Sequence, residues 1–248
     1  MAKIPVALQM YTLRDLTEKD FLGTLKQVAA IGYAGVELAG FGNLSAVKLK
    51  AVLGDLGLGI AGAHVGLLDM SEAELDAAID YHLALGNKYL VHPWANADSA
   101  DGWRAIAQKL NAAGARCRAR GLQVCYHNHA HEFTQFDGTT ALELLYANTD
   151  PANLQAELDL FWVSKGGSDP VDLIEQYADR VPLLHCKDMD AEGEFAEVGE
   201  GSLDWEEIFA TAPEAGVQWY IVEQDICKRP PLESVTLSFQ NLKKMGIA

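Results

Sequence analysis

Residues 123–133 read QVCYHNHAHEF: a short apolar run turns into a histidine-rich stretch, with His127, His129 and His131 at every second position and Glu132 beside the last. With Leu122 in front, the first half has the length and character of a buried β-strand. The period of two along a strand sends His127 and His129 to one face, while His131 and Glu132 fall beyond its end. A buried strand whose carboxyl end carries polar chemistry is the arrangement by which α/β folds build their sites.

The same pattern recurs along the chain. Apolar strand candidates begin at Pro5 (PVALQMY), Ala34 (AGVELAG), Leu58 (LGIAGAHV), Lys88 (KYLVHPW), Leu122 (LQVCYHN), Leu154 (LQAELDLFW), Val181 (VPLLHCKD) and Gln218 (QWYIVEQ). Amphipathic segments with helix boundary signals lie between them. Ser71 with Glu74 and Asp204 with Glu207 fit capping boxes, Asp169-Pro170 fits an N-cap followed by an N1 proline, and Gly32, Gly57, Gly86, Gly121 and Gly216 fit helix C-termini. Strand starts recur about every thirty residues, the length of a βαβ unit, with no Pro- or Ser-rich linker. Eight units predict an α/β fold, a single-domain (β/α)8 TIM barrel over residues 1–248. A doubly wound open sheet is the competing architecture, but QMYTLRD stands where its G-x-G-x-x-G would follow the first strand.

Composition narrows the function classes. A chain of 248 residues with 49% hydrophobic and 22% charged residues is an ordinary globular protein with a sizeable core. Its formal net charge of −16 opposes nucleic acid and anionic lipid partners, both of which need Lys and Arg to neutralise phosphate. The start, MAKIPVALQMYTLRDL, has no long signal-peptide apolar region, and no stretch of about 20 apolar residues suggests a membrane span. Cys117, Cys125, Cys186 and Cys227 form no C-x-x-C pair and read as reduced structural cysteines. A cytoplasmic location is expected, and a homo-oligomer is compatible with this composition.

The expected strand ends carry Gln9, Glu37, His64, His92, His127 with His129, Glu157 with Asp159, His185 with Lys187 and Asp188, and Glu223 with Asp225. Any one of these reads equally well as a hydrogen-bonded core residue. Jointly they point to a site, because polar groups at an apolar barrel mouth cost several kcal/mol unless paired or metal-bound. The expected ligands are His127, Asp159, His185 and Glu223, one per strand. A mixed N/O set without thiolate suits one divalent ion, Mn²⁺, Co²⁺, Zn²⁺, Fe²⁺ or Mg²⁺ with Mn²⁺ first, over Ca²⁺.

In order, QMYTLRD, VEL, AHVG, YHNHAHEF, ELDLFWVSKGGSDP, HCKD, EVGEGSLDW and IVEQD resemble the sugar phosphate isomerase/epimerase family, the xylose-isomerase-like TIM barrels, over nearly the whole chain. The resemblance implies one divalent metal on a Glu-Asp-His-Glu set and proton transfer beside the carbonyl of a ketose or keto-sugar. Asp159, His185 and Glu223 match that set; His127 departs from it, standing where many members carry glutamate. Family epimerases use two glutamates on opposite faces of the substrate, and here only Glu223 matches.

The expected activity is therefore a metal-dependent sugar isomerase or epimerase working through a metal-held enediolate, with a keto-sugar or inosose-type dehydratase or lyase as the alternative. Glu223 or Glu157 serves as base and Lys187 as electrostatic stabiliser. For Lys187, a salt bridge to Asp159 or Asp188 is the competing role. Gln9, Glu37, His64, His92 and His129 are the expected hydroxyl-binding residues. Trp94 and Trp162 either stack on sugar or pack in the core, and His131 reads as a loop residue. Lys165 and the glycines of KGGSDP offer a phosphate cradle, but Asp169-Pro170 is also a routine helix start, and the acidic EVGEGSLDW loop favours a neutral sugar. The other readings are an abasic-site endonuclease, which the negative charge opposes, a hydrolase using metal-activated water, and a catalytically silent sugar-binding barrel.

Overall fold

Period-two alternation gives each barrel strand an inward and an outward face. The computed structural model describes residues 3–248. Its eight barrel strands are β1 (Val6–Gln9), β2 (Gly35–Leu38), β3 (Gly59–His64), β4 (Tyr89–His92), β5 (Gln123–His127), β6 (Leu154–Asp159), β7 (Leu183–Cys186) and β8 (Trp219–Val222). They are all parallel and close in sequence order, β8 pairing with β1. The single-domain (β/α)8 barrel is thus the architecture, and the open sheet is excluded.

Ala7, Ala61, Tyr89, Val91, Cys125, Leu183 and Ile221 form an inner apolar core. Their neighbours along the strands, among them Leu8, Leu90, Val124, Leu184 and Val222, pack outward in the larger core beneath the helices. Two glycines make the inner core possible at one end: a Cβ at Gly35 or Gly59 would lie 2.9 or 3.1 Å from the Trp219 indole, which fills that space. Higher up, the β2–β3 register shifts between Val36 and Glu37, and a Cβ on Gly62 would fall 2.7 Å from Glu37 Oε1. Bulge and glycine together admit a carboxylate to the barrel interior.

The helices end as their sequence signals predict. Gly32, Gly57, Gly86, Gly121 and Gly216 all have positive φ. Ser71 and Glu74 form a complete capping box on α1 (Glu72–Leu85), and Asp169 caps α2 (Pro170–Gln176), with Pro170 in its first turn. On α3 (Trp205–Thr211) only half of the expected box forms: Asp204 accepts from the Glu207 amide at 3.1 Å, without the return bond seen at Ser71.

Two strand candidates run too long. Gln9 Oε1 accepts from the Tyr11 amide and starts a 3-10 turn over Met10–Leu13; Asp159 Oδ1 accepts from the Trp162 amide and starts a helix over Leu160–Lys165. Each side chain diverts the backbone at a strand end. Two antiparallel ribbons, 135–136 with 139–140 and 188–189 with 195–196, were not expected, since two-residue strands carry no periodicity. Among the described residues no helix is long and apolar enough to cross a membrane.

Candidate active site

At the carboxyl end of the barrel the inward polar side chains stack in two tiers that share His185. In the upper tier His127 Nε2 lies 3.2 Å from both Asp159 Oδ2 and His185 Nδ1, and His185 Nδ1 lies 3.0 Å from Glu223 Oε2. Each of the four residues offers a donor atom within 4.8 Å of those of the other three, and all four are buried. In the lower tier His185 Nε2 lies 2.7 Å from Glu37 Oε2 and 3.2 Å from Glu157 Oε2, and His64 Nε2 lies 3.0 Å from Glu157 Oε2. Gln9 Nε2 donates to Glu37 Oε2 at 2.7 Å. The pairing of His127 with Glu157 across β5–β6, and of Asp159 with His185 across β6–β7, sets this arrangement by register alone.

Lys187, one residue beyond β7 and 1% exposed, places its ammonium among three carboxylates. Nζ lies 2.8 Å from Asp159 Oδ2, 2.6 Å from Glu223 Oε2 and 2.8 Å from Asp225 Oδ2. Of its two expected salt-bridge partners, Asp159 is one and Asp188 is not. Asp188 instead accepts five hydrogen bonds, from the amides of Met189, Gly199, Gly201 and Leu203 and from Trp205 Nε1, and so ties the EVGEGSLDW loop to the end of β7.

The two tiers sort the protonation states. Burial opposes charge on His64, but Glu37 and Glu157 outweigh it and lift its pKa to about 10. Burial likewise opposes charge on His185, and Glu157 and Glu37 overcome it. Burial alone would raise Glu223, yet Lys187 and His185 hold it well below the usual carboxylate range. Glu157 moves the other way, raised by burial and by the neighbouring Glu37. His127 is pushed down by burial, His185 and Lys187, and His129 to about 2 by burial, His127 and Lys187. Both are therefore neutral imidazoles.

Above the upper tier opens a cavity of about 370 Å³ bordered by Tyr11, His64, Trp94, His127, His129, Glu223 and Asp225. Of the expected residues, His64, His127, His129 and Glu223 border it. Gln9, Glu37 and Glu157 lie fully buried in the lower tier, engaged with one another and with histidines. His92 accepts from the Leu67 amide at 3.0 Å and is held neutral, at about 4, by burial. Trp162 stands edge-on to Phe195, its ring centroid 5.5 Å from that of His129. Trp94 is 55% exposed and Tyr11 44%, so both are rim residues and not core. Tyr11 was missed because it follows an apolar strand and reads as its continuation. A larger groove of about 550 Å³, bordered by Tyr146, Tyr177 and Arg180, lies at the opposite end of the barrel, where barrel enzymes do not carry out chemistry.

The upper donor set suits a divalent cation on an observation of its own. Glu37 at His185 Nε2 leaves Nδ1 as the ring atom turned toward Asp159, Glu223 and His127, the carboxylate–histidine orientation common around bound metals. Two imidazoles and two carboxylates provide borderline and hard donors without sulfur.

The profile of the xylose isomerase-like TIM barrel family matches residues 25–245. The chain belongs to this family. Among its relatives, an inosose dehydratase of Geobacillus kaustophilus is 24% identical over 81% of this chain and 79% of its own length. The rhizopine catabolism protein MocC of Rhizobium meliloti is 28% identical over 90% of this chain and 81% of its own. A crystal structure of a sugar phosphate isomerase/epimerase from Parabacteroides distasonis superposes with a TM-score of 0.84 at 27% identity, covering 98% of this chain and 94% of that one.

Proposed function

We propose that this member of the family is a sugar-modifying enzyme that removes a proton beside the carbonyl of an unphosphorylated keto-sugar or keto-cyclitol. The observation that carries the reading is one cavity bordered by a carboxylate held ionised, Glu223, by an imidazolium, His64, and by the neutral imidazoles His127 and His129. The inosose dehydratase and sugar phosphate isomerase/epimerase relatives support the class without distinguishing the reaction.

His127, Asp159, His185 and Glu223 would hold the cation. When bound there it supplies Lewis-acid polarisation of a carbonyl. Glu223 takes the proton from the carbon next to the carbonyl, leaving the electron pair in an enediolate. His64 gives a proton to a hydroxyl leaving the neighbouring carbon, so water departs and a carbon–carbon double bond conjugated to the carbonyl remains. Groups whose environments push their pKa values apart divide into acid and base in this way. Isomerisation, in which the proton returns to an adjacent carbon, uses the same base and is the second reading. Two-base epimerisation is disfavoured, because His127 stands where the second glutamate would be and Glu157 lies below the cavity.

Charge supports a neutral substrate. Glu223 and Asp225 border the cavity, while the nearby cations are engaged: His64 with Glu37 and Glu157, Lys187 with three carboxylates, and Arg14 with the carbonyls of Tyr11 and Asp225. Trp162 Nε1, His127 Nδ1 and His129 Nδ1 are buried without partners, and sugar hydroxyls satisfy such atoms. The test is incubation of a panel of unphosphorylated keto-sugars and keto-cyclitols in D₂O with Mn²⁺, followed by NMR. Deuterium exchange with loss of water establishes the dehydratase, and exchange with a rearranged carbonyl the isomerase. Absence of both exchange and loss of water in every member of the panel refutes the reading.

A further inference from the structure

We propose that Lys187 competes with a divalent cation for the upper donor set, and that Asp225 is the position to which its ammonium withdraws when the cation binds. This inference rests on the reading that His127, Asp159, His185 and Glu223 form a metal site.

The geometry is specific. Two of the three oxygens around Lys187 Nζ, Asp159 Oδ2 and Glu223 Oε2, are the same atoms that face the imidazole nitrogens of His127 and His185 in the donor set. A carboxylate oxygen has lone pairs for two partners, but two cations drawn to the same pair of buried oxygens repel each other at short range. Lys187 cannot relieve this by moving into solvent, since its side chain is 1% exposed. The third oxygen, Asp225 Oδ2, lies outside the donor set, on a carboxylate 26% exposed at the cavity wall. It offers the ammonium a partner that a bound cation does not share.

The arrangement has an energetic consequence in each direction. Without a cation, the ammonium keeps Asp159 and Glu223 from facing each other unpaired in a buried space, where removing one partner of an ion pair is strongly destabilising. With a cation, the same ammonium subtracts from its affinity. Asp225 limits that loss, because it draws the ammonium away from the ligand oxygens. A lysine that merely positioned the ligands would have the opposite effect, since removing it would loosen the site and weaken binding.

Isothermal titration of Mn²⁺ into the wild-type protein, Lys187→Met and Asp225→Asn, each stripped of metal beforehand, separates the cases. The expected result is a Kd at least about tenfold lower for Lys187→Met and about threefold or more higher for Asp225→Asn. Unchanged or weaker binding in Lys187→Met overturns the proposal, as does unchanged or tighter binding in Asp225→Asn. If Lys187→Met fails to fold, Asp225→Asn decides by the same criterion. No Mn²⁺ bound by any of the three removes the metal-site reading itself and this proposal with it, an outcome distinct from a wild type that binds and variants that do not differ.

Discussion

At the scale of single residues, the site depends on charges that occupy one another's neighbourhoods. Asp188, fully buried, receives five hydrogen bonds from the loop that follows it. Its replacement by Ala strands several donors, and urea unfolding should show a loss of about 3 kcal/mol or more. A loss under 1 kcal/mol would mean that the loop finds other acceptors. His64→Asn addresses chemistry instead: exchange at the carbon beside the carbonyl should persist while loss of water falls at least about 100-fold. Equal falls in both would show that His64 supports Glu223 and does not act as the acid. His127, Asp159, His185 and Glu223 were legible in the sequence because each sits in or just past the end of an apolar run, where period two assigns it a face. Their neighbours were less so. The partners of Lys187 come from two other strands, and no spacing relates residues 159, 187, 223 and 225. Gln9, Glu37 and Glu157 were expected to contact substrate, yet they lie a tier below, Gln9 on Glu37 and both glutamates on His64 and His185, a difference of depth that sequence periodicity does not encode.

At the scale of elements, capping and register decide where strands stop and helices begin. The caps at Ser71 and Asp169 and the glycine C-termini were legible because they rest on local backbone chemistry. The early ends at Gln9 and Asp159 were not, since each depends on a side chain folding back onto its own chain two or three residues on. The α1–β4 junction gives a prediction of pH dependence. His82, buried on α1, accepts from Asn87 Nδ2 at 3.1 Å, and burial lowers its pKa from 6.5 to about 4. Between these values the unfolded chain binds a proton that the folded chain refuses. Its contribution to stability is therefore complete above pH 6.5 and declines toward pH 4, by at most about 1.4 kcal/mol per pH unit. His92, also at about 4, and the neutral His127 and His129 act over the same window. Denaturant titrations from pH 7 to pH 5 should show stability falling, and His82→Gln should reduce the slope by about a quarter. A slope unchanged in the variant would indicate that His82 is protonated in the folded protein.

At the scale of the whole molecule, the barrel follows from eight apolar runs at βαβ spacing, a global signal that survives errors of a few residues at each boundary. The net charge of −16 is equally global and extends into the cavity, where Glu223 and Asp225 have no unpaired cation beside them. A phosphorylated counterpart of any substrate should therefore bind at least about tenfold more weakly, with the gap narrowing as salt is raised. Tighter binding of the phosphorylated form would point instead to an anion site at the rim. Removal of a proton beside a carbonyl by Glu223 is the step on which the proposed function rests. It is tested by the rate of solvent deuterium incorporation into a keto-sugar or keto-cyclitol substrate by wild type and by Glu223→Gln, with substrate affinity measured in parallel. Exchange should fall at least about 100-fold while the variant still binds substrate. Exchange at the wild-type rate in Glu223→Gln would contradict that role for Glu223.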